Sequence, residues 1–151
     1  MNAYKELRDR QQKEANAFPF GFAFGNDQFV EMMKKWKLCH GRDGKPTKND
    51  ISKIYSIGYG GFVQKKDAPA FHEMMTRHTK EMDDAIAADP DGTGFIRQMF
   101  EYEMFNHEYG LTYDIEDTLD ALGLTAEQVK SDERLLNGYK LAEAYVCENT
   151  F

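Results

Sequence analysis

"KIYSIGYGGFVQK", residues 53–65, decides the fold class. Residues 53–57 and 61–65 are rich in β-branched and aromatic side chains, and "GYGG" stands between them. That pattern predicts a hairpin whose glycines supply positive φ at the turn. A phosphate-cradling loop would need a helix N-terminus directly after the glycines. Strand-like "FVQK" follows instead.

Upstream, "FPFGFAF" (residues 18–24) alternates Phe18, Phe20, Phe22 and Phe24 with Pro19, Gly21 and Ala23. Period two predicts a third strand, with a Phe face and a small-residue face. Pro19 cannot donate to a ladder, so it belongs at a strand start or on an edge. Residues 2–16 predict a charged helix with Tyr4 and Leu7 as its apolar pair. Asn26 or Asp27 can cap a helix carrying Phe29, Val30, Met33 and Trp36. "HGRDGKPTKND" (40–50) is polar and broken by Gly and Pro, which predicts a mobile loop.

Beyond the hairpin the period changes to that of helices. Asp67 can cap a long helix with Pro69 in its first turn and Phe71, Met74, Met75, Met82, Ala85 and Ile86 on one face. "DPDGTG" ends it, and further helices are expected over 95–108 and 132–146. Asp114 with Asp117 suggests an N-cap and its N3 acid, and Thr125 with Gln128 forms a capping-box pattern. The expected fold is α+β: a small antiparallel sheet of about three strands (18–24, 53–57, 61–65) packed with a mostly helical C-terminal two-thirds, in a single domain over 1–151.

The net charge of −7 is concentrated in one place. Residues 98–129 hold Glu101, Glu103, Glu108, Asp114, Glu116, Asp117, Asp120 and Glu127 and no Lys or Arg. The remaining residues are nearly balanced, with 19 Lys and Arg against 18 Asp and Glu. Such a segment repels nucleic acid and anionic membranes, and it suits a basic protein surface. "LDALGLTAEQV" (119–129) has a helix–turn–helix outline, but its acids argue against phosphate contact. Cys39 and Cys147 fit no metal or redox spacing, the N-terminal residues lack an apolar signal core, and no apolar run is long enough to span a membrane. A cytoplasmic location is the expectation.

Projection at about 100° per residue sorts the acids of the 95–108 helix. Glu103 and His107 fall inside the apolar arc of Ile96, Met99 and Phe100, as an i,i+4 pair. Glu101 and Glu108 fall on the opposite side with Arg97. His78 lies in the apolar stripe of the preceding helix. If it met Glu103 and His107, two imidazoles and a carboxylate could ligate zinc, manganese or iron. The same three groups could instead satisfy one another as a packing device. "HEMMTRH" (72–78) is not the zinc-protease motif, because its histidines are six residues apart and share no face. "DPDGTGFI" places Asp89 and Asp91 at the first and third positions of a calcium loop. Phe100 stands where the bidentate carboxylate belongs.

At "FPFGFAFGNDQF", "KIYSIGYGGFVQKKD" and "NHEYGLTYDIEDTLDALGLT" the chain resembles a family of small uncharacterised proteins, a domain of unknown function, from gut Firmicutes and their phages and conjugative elements. The resemblance carries no chemistry with it. It implies a setting in which accessory proteins bind and disable host defence, as anti-CRISPR and anti-restriction proteins do.

These observations lead to a non-enzymatic binding protein without a cofactor. Its acidic face, Glu101, Glu108, Glu116, Asp117 and Asp120, would engage a basic protein, in the finer reading a defence nuclease. The alternative is a metal-dependent enzyme using His78, Glu103 and His107. A homo-oligomer built on the Phe strand or the Met-rich helix is the third reading.

Overall fold

A computed structural model describes residues 1–150. The fold is α+β, with a three-stranded antiparallel sheet and a predominantly helical remainder. In chain order the elements are α1 (Ala3–Ala17), β1 (Gly21–Phe22), α2 (Asn26–Lys35), α3 (Lys48–Ile51), β2 (Ile54–Gly58), β3 (Gly61–Gln64), α4 (Ala68–Ala87), α5 (Phe95–Asn106), α6 (Tyr109–Thr112), α7 (Glu116–Leu122), α8 (Ala126–Ser131) and α9 (Glu133–Glu148). Two compact units emerge, residues 14–77 and residues 1–13 with 78–151, and the boundaries fall inside α1 and α4.

The 14–77 unit holds the sheet, in the order β1-β3-β2. The hairpin forms as expected: Gly58 pairs with Gly61, and Tyr59 (φ 51°) and Gly60 (φ 76°) make the turn. Two consecutive positive φ values are what a primed turn requires. The predicted 18–24 strand shrinks to Gly21–Phe22. Its alternation persists, but the small face is the one that is covered: Gly21 and Ala23 are buried while Phe22 and Phe24 are exposed. Gly21 leaves the space that Met32 Sδ and the Trp36 ring occupy, since a Cβ there would lie 2.5 Å and 2.6 Å from them. Phe18 and Phe20 leave the strand pattern to pack edge-on against Phe71. The core beneath α2 is Ala23, Met32, Met33, Leu38 and Ile54, with Phe29, Trp36 and Phe62 against it.

Two local expectations need correction here. Neither Asn26 nor Asp27 caps α2; Gly25 is its N-cap and no side chain caps it. Gln28 instead accepts the Phe24 N–H at 2.8 Å. The 40–50 segment runs into α3 and is tied down by Asp50, which is wholly buried. Its carboxylate accepts the N–H groups of His40 and Thr47 at 2.9 Å each and lies 2.5 Å from His40 Nδ1. Thr47 and Asp50 complete a capping box. "TKND" spells that box in the sequence, and the glycines around it mask the signal.

Burial opposes the Asp50 charge, but the bonds donated by Thr47 and His40 outweigh it and hold the carboxyl well below the usual carboxylate range. A folded-state value below the unfolded one makes the contribution complete at neutral pH and lost as pH falls below about 4. Urea melts from about pH 6 to 3 are therefore expected to show a steeper loss of stability in the parent than in Asp50→Asn. Parallel pH profiles would count against this role.

The other unit is helical. Ile96, Met99, Phe100 and Met104 of α5 pack with Leu135, Ala142 and Val146 of α9, together with Tyr4, Tyr109, Leu119 and Val129. Each large side chain buried this way contributes about 1.5–3 kcal/mol. Asp132 is the N-cap of α9, and its side chain accepts the Arg134 and Leu135 N–H groups. Thr125 and Gln128 form the expected capping box at α8. Asp114 does not cap α7. Ile115 is the N-cap residue, and Asp114 accepts the Glu116 N–H at 3.0 Å as a turn.

Candidate functional site

The acids of α5 and its continuation divide into a buried set and an exposed set. Glu103 is buried, at 1% exposure. Its carboxylate accepts the Tyr4 hydroxyl at 2.9 Å and the Arg8 guanidinium, both from α1. His107, which ends α5, brings Nε2 to 3.3 Å from the second carboxylate oxygen. The Glu103 carbonyl also takes the Thr118 hydroxyl at 3.4 Å. Burial and the Glu103 charge push the Tyr4 phenol above its ordinary value, so it stays protonated and donates.

Glu103 and His107 therefore meet as the spacing predicted, but α1 supplies their remaining partners. His78 is not among them; its carbonyl accepts the Gln11 side-chain amide at 3.0 Å. Among the described residues, no group of three or more His, Cys, Asp or Glu side chains is placed to hold a metal ion. The supposed calcium ligands serve the chain itself. Asp89 accepts the N–H groups of Gly92, Gly94 and Ile96, and Asp91 accepts the Thr93 backbone N–H and the Thr93 hydroxyl. A carboxylate closed in by arginine, a phenol and an imidazole is a clamp between α1 and α5. Its lone pairs are committed before any substrate arrives.

A second polar group in the helical unit joins α6 to α9. Tyr139 donates to Glu143 at 3.0 Å, and buried Tyr109 donates to the same carboxylate. Burial first, then these bonds, raise the Tyr109 phenol above its ordinary value. Tyr4, Arg8, Tyr109 and Glu143 were not legible as a set. Each lies far in sequence from its partners, and only the i,i+4 spacing of Tyr4 with Arg8 and of Tyr139 with Glu143 gave a local sign.

The exposed set is different. Glu101 lies outside it: Arg97 Nε holds its carboxylate at 2.5 Å and the side chain is only 16% exposed. The i,i+4 ion pair folds it against the helix instead of leaving it in water. Glu108, Glu116, Asp117, Asp120 and Glu127 are exposed, and among the described residues none has an ion-pair partner. Three of them alternate with apolar groove-lining residues in the chain: Ile115 precedes Glu116, Leu119 precedes Asp120, and Ala126 precedes Glu127. With Val129, Lys130, Leu136 and Tyr139 these residues line a groove of about 250 Å³ across α7, α8 and α9. The backbone on either side of α6 is held in left-handed φ at Glu108 and Tyr113, both 56°. The candidate site is this largely apolar groove together with the unpaired carboxylates that follow its lining residues in the chain. Among the described residues, no helix is long and apolar enough to cross a membrane.

An α+β protein with a helical unit of this kind matches a known family model over residues 3–144. The chain belongs to that family, described as a family of unknown function (DUF7659). No curated protein and no solved structure matches it.

Proposed function

We propose that the chain is a non-enzymatic binding protein whose acidic α7–α8 surface docks a basic, amphipathic segment of another protein. The observation that supports this most is the pairing of the α7–α9 groove with unpartnered Glu116, Asp117, Asp120 and Glu127. An apolar stripe on the partner would fill the groove, and its flanking Lys and Arg would meet the carboxylates. The charges would speed association and make it sensitive to salt. The finer reading has the chain serving a mobile element and occupying the nucleic-acid groove of a defence nuclease. It rests on the resemblance of the sequence to proteins of gut Firmicutes and their phages.

The test is anisotropy of a labelled helical peptide with a leucine face flanked by lysines, followed by pull-downs against purified host nucleases. Binding should weaken as salt rises. Glu116→Lys, Asp117→Lys and Asp120→Lys together should lower affinity by at least roughly tenfold, with an unchanged thermal melt. Unchanged affinity in the triple variant would sink the proposal.

A further inference from the structure

The 14–77 unit carries an open sheet edge of opposite electrostatic character. β2 is the last strand in the order β1-β3-β2, and Tyr55, Ser56, Ile57 and Gly58 are exposed. The Lys65 N–H donates to the Lys53 carbonyl at 2.8 Å. In an antiparallel ladder that phase turns the backbone groups of Lys53 and Tyr55 toward β3, and those of Ile54 and Ser56 toward the outside. Such an edge is a template for another strand. Its irregularity comes late, between Ser56 and Gly58, so the ladder is regular over Ile54–Ser56.

Beside this edge runs a groove of about 540 Å³ lined by Tyr55, Ile57, Val63, Pro69, Phe71 and His72. Tyr55 and Ile57 present large apolar surface to solvent there. The surroundings are basic. Lys53, Lys65 and Lys66 are exposed, and Lys65 Nζ sits 4.9 Å over the Tyr55 ring. The unit as a whole has ten Lys and Arg against seven Asp and Glu, whereas the helical unit has nine against nineteen.

We propose that β2 captures an extended acidic segment of a partner protein by strand addition. The main chain of the partner pairs with the outward backbone groups of Ile54 and Ser56. Its apolar side chains on the face shared with Tyr55 and Ile57 enter the groove, and carboxylates at the ends of that same face meet Lys53 and Lys65, which lie two residues from Tyr55 and Val63 on it. Main-chain pairing supplies affinity in this mode and the side-chain groove supplies selectivity. This occupant fits better than a basic or helical one, because the groove borders an unpaired edge and its charged neighbours are lysines.

The experiment is an NMR titration of the full chain with the seven-residue peptide Glu-Ser-Val-Ser-Val-Ser-Glu, capped at both ends, whose valines and glutamates share one face of a strand. Shift changes should centre on Ile54–Gly58, Lys65, Phe71 and His72, and exchange of the Ile54 and Ser56 amide protons should slow. A peptide with lysine in place of glutamate should bind at least roughly tenfold more weakly, and a backbone N-methylated peptide should not bind. Ser56→Pro should abolish binding. Lys53→Glu with Lys65→Glu should lower it at least roughly tenfold with an unchanged far-UV spectrum, which covers the case in which the proline variant fails to fold. The proposal is overturned by no response at millimolar peptide, by shifts confined to the helices, or by equal affinity for the lysine peptide. Concentration-dependent self-association that gives the same shifts without peptide would make a second copy the occupant and would also overturn it.

Discussion

Replacing Arg8 with methionine is expected to destabilise the protein by about 3 kcal/mol, at the lower end of what breaking a buried ion pair costs. The Arg8 side chain is 43% exposed, so the loss is not its own solvation. The cost lies with Glu103, which would stay buried with its charge facing only the Tyr4 hydroxyl and His107. For a chain of this size the melting temperature should fall by roughly 6–12 °C. Neutralising both partners removes the stranded charge, so Arg8→Met with Glu103→Gln should recover most of the loss. Denaturant melts of the two variants decide the matter. A loss under about 1 kcal/mol for Arg8→Met would mean that Glu103 is not held by this pair.

Gly92→Ala is expected to cost at least about 3 kcal/mol, from overpacking and backbone strain together. Gly92 has φ 85°, and its N–H is held by Asp89 at 3.1 Å. A Cβ at this position would overlap the Arg134 carbonyl oxygen and stand 3.2 Å from the Gly138 nitrogen. Both are backbone atoms of α9, so no side-chain rotation can relieve the clash. The loop is fastened to the same helix from the other direction: Arg134 donates to the carbonyls of Ile86 and Asp89, and Asn137 to that of Asp91. Gly123 provides the control. It has φ 66°, but a methyl group there would meet nothing within 4 Å, so Gly123→Ala bears only the left-handed strain of about 1–2 kcal/mol. Equal losses in the two variants would show that close approach to α9 does not matter.

The hairpin, the α+β class and the helical order could be read from local pattern, because turn chemistry and periodicity are short-range signals. Glu103 and His107 were legible as an inward pair for the same reason: they lie four residues apart on one helix. What closes around them was not, since Tyr4 and Arg8 come from nearly a hundred residues away. Helical projection placed Glu101 in water correctly by angle and wrongly by environment, because Arg97 lies on the same side and folds over it. In the Phe strand the alternation was legible, but which face would be covered depended on Met32 and Trp36 filling the space beside Gly21. The α7–α9 groove needed three helices to be placed before it existed.

Trp36 is the only tryptophan and packs against Gly21 and the α2 core of the 14–77 unit. Its fluorescence therefore reports on the packing of that unit's core, while far-UV circular dichroism is dominated by the helices of the other. The molecule carries a native reporter on one of its two halves. Emission and ellipticity curves that coincide mean that the halves melt as one cooperative block, and curves that separate mean that either can open while the other stays folded.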